Sequence, residues 1–207
     1  MYNHNSHEYE FELRRKAFHC LSLVAPIVYH YIPCNIGKSI LCALTVTVVI
    51  SDILRYRYNS VRHYLHIIFG SIMRRKEKNS LFSGLTYAMF GLSITSLLFP
   101  KEICIVAWLV LVFSDAIAAI VGLVANPVRR KNIYSFITFI ISAMIVMTLY
   151  FKYIEYVYDI KILAISAIVT AIAEFYSYKL MLNDNLTIPI VCAIAIEYTP
   201  DLLKFIM

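Results

Sequence analysis

Apolar runs of about twenty residues follow one another along almost the whole chain, separated only by short polar connections. A bilayer-spanning helix needs roughly 20 mostly apolar residues, and such stretches run almost end to end, so the sequence predicts an all-α, polytopic transmembrane helical bundle. Composition agrees: 60% of the 207 residues are hydrophobic and 15% are charged, where an average soluble domain carries roughly a quarter charged residues. No room remains for a separate soluble domain, and residues 1–207 read as a single integral membrane domain.

About seven spans are predicted, at roughly 17–33, 36–54, 84–99, 103–124, 133–151, 160–177 and 186–203. The last contains Glu197, Pro200 and Asp201, so it is expected to end early and turn along the interface. Glu197 lies deeper or on the outer side and has no assigned role. Residues 1–16 are polar and read as an N-terminal segment outside the membrane, with no cleavable signal peptide expected.

Lysine and arginine fall unevenly between the two sides. Arg14, Arg15, Lys16, the seven basic residues from Arg55 to Lys78, Arg129, Arg130, Lys131 and Lys179 share one side, against Lys38, Lys101, Lys152, Lys161 and Lys204 on the other. The positive-inside rule makes the N-terminus cytoplasmic. Residues 55–83 become a cytoplasmic connection, in which 60–78 (SVRHYLHIIFGSIMRRKEK) reads as an amphipathic, basic interfacial helix held by anionic headgroups. The five cysteines, Cys20, Cys34, Cys42, Cys104 and Cys192, form no CxxC pair and read as packing residues.

A carboxylate inside a bilayer costs about 2.5 to 3.5 kcal/mol at mid-helix, so each needs a partner or a function. Glu12, Arg15, Lys16 and His19 are spaced i, i+3, i+4, i+7 and share one helical face at the start of the first span. Asp52 and Arg55 stand i, i+3 at the end of the second and read as an interfacial ion pair. Ser114 and Asp115 interrupt the fourth span, with the small residues Ala118, Ala119 and Gly122 on the aspartate's face, as helix packing or a ligand would require. The third span opens with Ser83 and Gly84, the sixth carries Glu174, and the last is preceded by Asn183, Asp184 and Asn185. That final trio suits a helix N-cap or a Mg²⁺ site completed by phosphate oxygens. Five spans thus bring unusual polar groups to one leaflet.

Acids that hold Mg²⁺ and cations that neutralise phosphate suit phosphoryl transfer, which depends chiefly on positioning and electrostatics. The chain has no GxxxxGK[ST] loop and no GxGxxG after a strand, so nucleotide binding would rest on helices and loops. A transporter would distribute polar groups toward both faces or repeat its halves, and neither pattern is present.

Four segments resemble the CTP-dependent lipid kinases, which include dolichol kinase, phytol kinase and yeast-type diacylglycerol kinase: ELRRKAFH at 12–19, SGLTYAMFG at 83–91, SDAIAAIVG at 114–122, and AE at 173–174 with DNLTIPI at 184–190. The resemblance spans nearly the whole chain. It implies an enzyme that transfers a phosphoryl group from CTP to a membrane lipid alcohol, a polyprenol, phytol or diacylglycerol, at the cytoplasmic leaflet. By resemblance, Arg15, Lys16, His19, Asp115, Glu174, Asp184 and Asn185 would line the CTP, metal and lipid-alcohol site. The roles expected within it, divided here on chemical grounds, are catalysis by His19, Asp115 and Glu174, nucleotide phosphate binding by Arg15, Lys16, Ser83, Gly84 and Lys131, and Mg²⁺ binding by Asp115, Asp184 and Asn185. The expected partners are nucleotide, lipid alcohol and membrane, with no nucleic acid. Short length and composition favour a bacterial inner membrane over the endoplasmic reticulum.

One segment departs from that pattern. Where the family carries K-[ST]-x-EG after the aspartate-bearing span, this chain has Lys131 but Tyr134 and Ser135 in place of Glu and Gly. A cytidylyltransferase forming CDP-lipid and a non-catalytic transporter or structural membrane protein remain the alternatives.

Overall fold

The computed structural model describes residues 14–70, 80–126, 131–177 and 182–206. Glu12, the basic run Arg74 to Lys78, Arg129, Arg130 and Lys179 lie outside them. All regular structure among the described residues is helical.

The first helical run covers residues 14–20, tightens into a 3₁₀ turn at Leu21–Leu23, and resumes as α1 (Val24–Tyr31). Pro26 accounts for the interruption, since it has no N–H to give to the carbonyl four residues back and its ring crowds that carbonyl. The helices that follow are α2 (Cys34–Arg57), α3 (Asn59–Phe69), α4 (Gly84–Leu98), α5 (Lys101–Ala125), α6 (Ile133–Tyr153), α7 (Ile160–Ser177) and α8 (Asp184–Ile206). Four of them, α2, α5, α6 and α7, are long and apolar enough to cross a membrane, and α4 is a shorter apolar helix.

Two expectations change. The last helix, expected at 186–203 and to end early, runs through both Pro189 and Pro200 to Ile206, because its packing on neighbouring helices outweighs the lost backbone bonds. The connection predicted at 55–83 also begins later, since α2 continues to Arg57 and buries Arg55. Within the segment expected to form an interfacial helix, α3 is exposed along most of its length and carries Arg62, His63 and His66.

Helix α5 is the centre. Cys104, Val106, Ala107 and Val110 are wholly buried, and the helix is flanked by α6, α8 and α1. Helix α8 wedges against α7, α4 and α5, whereas α2 lies outermost, packed mainly on α4. Outward from α2 point Ile36, Ile40, Leu44, Ile50 and Ile53, an apolar face suited to lipid rather than water.

Polar side chains inside the bundle bond across helices. Thr45 meets Ser93 at 2.7 Å between α2 and α4, and the Trp108 indole donates to Thr95 Oγ1 at 2.7 Å between α5 and α4. Lys101 Nζ donates to the His30 and Ile32 carbonyls, each at 2.8 Å, so a cation at the start of α5 caps the carbonyl end of α1. Glycine matters most at Gly91, where a Cβ would stand 2.8 Å from the Asn185 carbonyl oxygen and 2.8 Å from Pro189 Cγ. Only a missing side chain allows α4 and α8 this close.

Candidate active site

The charged residues gather at the end of the bundle where α2, α5 and α7 finish and where α4, α6 and α8 begin. Residues 14–20 supply Lys16 and His19, spaced three apart and therefore on one helical face. Lys16, only 3% exposed, forms a buried ion pair with the Asp115 carboxylate in α5, and its Nζ also donates to the Asp115 backbone carbonyl at 3.2 Å. His19 Nε2 lies 3.8 Å from Asp115 Oδ2 and 3.3 Å from the Leu111 carbonyl oxygen. Arg15, half-buried, adds its charge to the same locality. A carboxylate buried this deeply needs a cation beside it, and three basic groups surround Asp115.

A second ion pair lies one helix further on. Lys131 Nζ stands 2.7 Å from Glu174 Oε1, donates to the Glu174 carbonyl, and reaches Ser177 Oγ at 2.9 Å. One ammonium thus closes the carbonyl end of α7. Glu174 Oε2 is buried without a hydrogen-bond partner. Its carboxylate also feels the charges of Asp115 and Asp184, both buried.

The start of α8 completes the candidate site. The Asn185 amide N–H donates to Asn183 Oδ1 and to Asp184 Oδ1, both at 3.1 Å, so the helix-capping arrangement expected for this trio is formed. Asn185 Nδ2 donates to the Gly84 carbonyl at 3.0 Å, while its Oδ1 is buried without a partner. Ser83 caps α4, accepting from the Thr86 N–H at 3.4 Å, and its own N–H donates to Asp52 Oδ2 at 2.6 Å.

The 200 residues aligned with an uncharacterized protein of Rickettsia prowazekii are 34% identical and cover 95% of this chain and 98% of that protein. The chain belongs to that family. An uncharacterized protein of Methanocaldococcus jannaschii is 27% identical over 192 residues, 90% of this chain and 93% of the relative. A shorter likeness, 31% identity over 71 residues, links 34% of the chain to 32% of the CTP-dependent diacylglycerol kinase 1 of Schizosaccharomyces pombe. No family model matches the chain, and no solved structure matches it.

In this member of the Rickettsia protein's family, Lys16, His19 and Asp115 are brought together directly, as are Lys131 and Glu174, and Asn185 and Gly84. Ser83 and Gly84 both have partners within the fold. Ser135, standing where Gly was expected, forms a capping box with Asn132 at the start of α6, while Tyr134 points outward. Ala118 and Gly122 are buried in helix packing, the Gly122 carbonyl accepting from Asn132 Nδ2 at 2.8 Å.

Asp52 and Arg55 were legible as an i, i+3 pair, and Arg55 Nε does donate to Asp52 Oδ1 at 3.0 Å. Sequence reading missed what else they hold: Asp52 Oδ2 accepts from Thr86 Oγ1 at 2.5 Å as well as from the Ser83 N–H. Spacing along one helix shows the pair but not its partners some thirty residues away.

Among the described residues, no three His, Cys, Asp or Glu side chains converge as a metal cage. The site instead offers isolated buried oxygens, Glu174 Oε2 and Asn185 Oδ1, with no hydrogen bond to satisfy them. Carboxylate and amide oxygens are the ligand types that a hard cation such as Mg²⁺ takes beside waters and phosphate.

Proposed function

We propose that this protein is a lipid kinase that transfers the γ-phosphoryl group of CTP to the hydroxyl of a membrane lipid alcohol at the cytoplasmic leaflet. The observation that carries this reading is the joining of Lys16, 99 residues away in sequence, and of His19 to the buried Asp115, with Glu174 and Asp184 also buried. The partial likeness to the fission-yeast kinase supports the same reading. The bundle is proposed to cross a bacterial inner membrane about seven times, with its N-terminus and the charged end cytoplasmic.

In this reading Arg15, Lys16 and Lys131 neutralise phosphate oxygens, with Ser83 and Gly84 at the edge of the nucleotide site. His19 is proposed to take a proton at Nδ1, because Nε2, 3.3 Å from the Leu111 carbonyl and 3.8 Å from Asp115 Oδ2, can only donate there. The alcohol oxygen forms a bond to the γ-phosphorus as the bond to the β–γ bridging oxygen breaks. The alcohol proton passes to His19 or Glu174, and CDP leaves. Asp115, Asp184 and Asn185 would hold Mg²⁺, which supplies neutralising charge on the phosphates.

The test is label transfer by protein in lipid nanodiscs, using γ-labelled CTP or ATP with polyprenol, phytol and diacylglycerol acceptors beside Asp115→Asn. Label in a lipid from CTP, lost in the variant, is the expected result. A non-catalytic membrane protein is the second reading, favoured by Tyr134 and Ser135 in place of Glu and Gly. Folded wild-type protein that labels no acceptor from either nucleotide would establish it over the kinase.

A further inference from the structure

We propose that Asp52 and Arg55 are positioning residues for Asn185, holding α4 so that its first carbonyl fixes the Asn185 amide with Oδ1 turned into the charged region as an acceptor. This rests on the kinase reading for the identity of the ligand, a divalent cation carried on a nucleotide.

The argument begins with the energetics of a buried ion pair. Asp52 is 6% exposed and Arg55 is 4% exposed, and such pairs contribute little net stability compared with apolar packing. Their value must lie in geometry. Asp52 binds three donors, Arg55 Nε at 3.0 Å, Ser83 N–H at 2.6 Å and Thr86 Oγ1 at 2.5 Å. Arg55 Nη2 in turn donates to the carbonyls of Ser80 at 3.1 Å and Leu81 at 3.3 Å. The segment entering α4 is therefore tied to the end of α2 from both sides.

What α4 then does is orient an amide. The Gly84 carbonyl can only accept, so the side-chain group facing it at 3.0 Å must be the NH₂ of Asn185. With Nδ2 committed there, Oδ1 is forced to the opposite side, where it is buried and has no partner. Gly91 lets α4 and α8 approach closely enough for this bond. Asn185 stands beside Asp184 in the first turn of α8, and its unpaired oxygen is the acceptor proposed for the cation. Groups that orient metal ligands through hydrogen bonds commonly change metal affinity by about 10 to 100-fold when removed.

Mn²⁺ binding in the presence of CTP, followed by electron paramagnetic resonance on full-length protein in nanodiscs, tests this without requiring turnover. Asn185→Ala should weaken Mn²⁺ binding about tenfold, Asp52→Asn about tenfold, and the double variant no more than Asn185→Ala alone. If Asp52→Asn does not fold, Thr86→Val removes a single donor from Asp52. It should give a smaller loss, likewise absent when Asn185 is alanine. Wild-type binding by Asp52→Asn, or losses that multiply in the double variant, would overturn the positioning role alone. Absence of Mn²⁺ binding by the wild type with CTP would overturn the kinase reading of the site and this inference with it.

Discussion

Lys16 and Asp115, 99 residues apart in sequence, form a buried ion pair in which Lys16 Nζ also donates to the Asp115 backbone carbonyl at 3.2 Å. The pair fastens the first helical run to the central helix α5. Removing one member of a buried pair leaves an uncompensated charge, at a cost of about 3 kcal/mol or more.

Lys16→Met should therefore lower the thermal midpoint in detergent markedly. The double variant Lys16→Met, Asp115→Leu should recover most of that loss, because neither charge is then left alone. Both variants should lose phosphoryl transfer. A double variant as unstable as the single would show that the ion pair is not what Lys16 contributes.

Lys131 closes the end of α7 through Glu174 and Ser177. Lys131→Ala should destabilise by about 1 to 3 kcal/mol, since it strips a buried carboxylate of its cation and Ser177 of a donor. Glu174→Gln placed on top should restore stability but not label transfer. Thermal melts and the nanodisc assay, run on the same preparations, separate the two effects.

Gly91 sets the distance between α4 and α8, and the atoms a Cβ would meet include the Asn185 backbone. Gly91→Val should cost about 1 to 3 kcal/mol through overpacking, visible as a lower monodisperse yield and a lower melting midpoint. Unchanged folding would mean that α8 can shift without loss.

Orientation can be read by labelling. Val157 is exposed in the α6–α7 connection, and Asn59 is exposed at the start of α3. In a background with Cys20, Cys34 and Cys42, the cysteines that are not buried, replaced by serine, Val157→Cys should react with a membrane-impermeant maleimide from outside intact cells. Asn59→Cys should react only after permeabilisation. The reverse pattern would invert the assigned topology.

The sequence by itself determined the helices and most of their ends. Helix formation depends on neighbours within a few residues and on apolar run length, so α2, α5, α6 and α7 were legible as spans, and Ser83 as the start of α4. It misplaced the end of α8 because proline's local cost was read without the packing that offsets it. Spacing also showed that Lys16 and His19 share a face and that Asp52 and Arg55 pair. Only the tertiary structure decided that Lys16 meets Asp115, that Asp52 accepts from the Ser83 N–H, and that Asn185 bonds to Gly84. Those partners are 31 to 101 residues apart, and which polar group satisfies which is fixed by how whole helices pack, a choice that local periodicity does not encode.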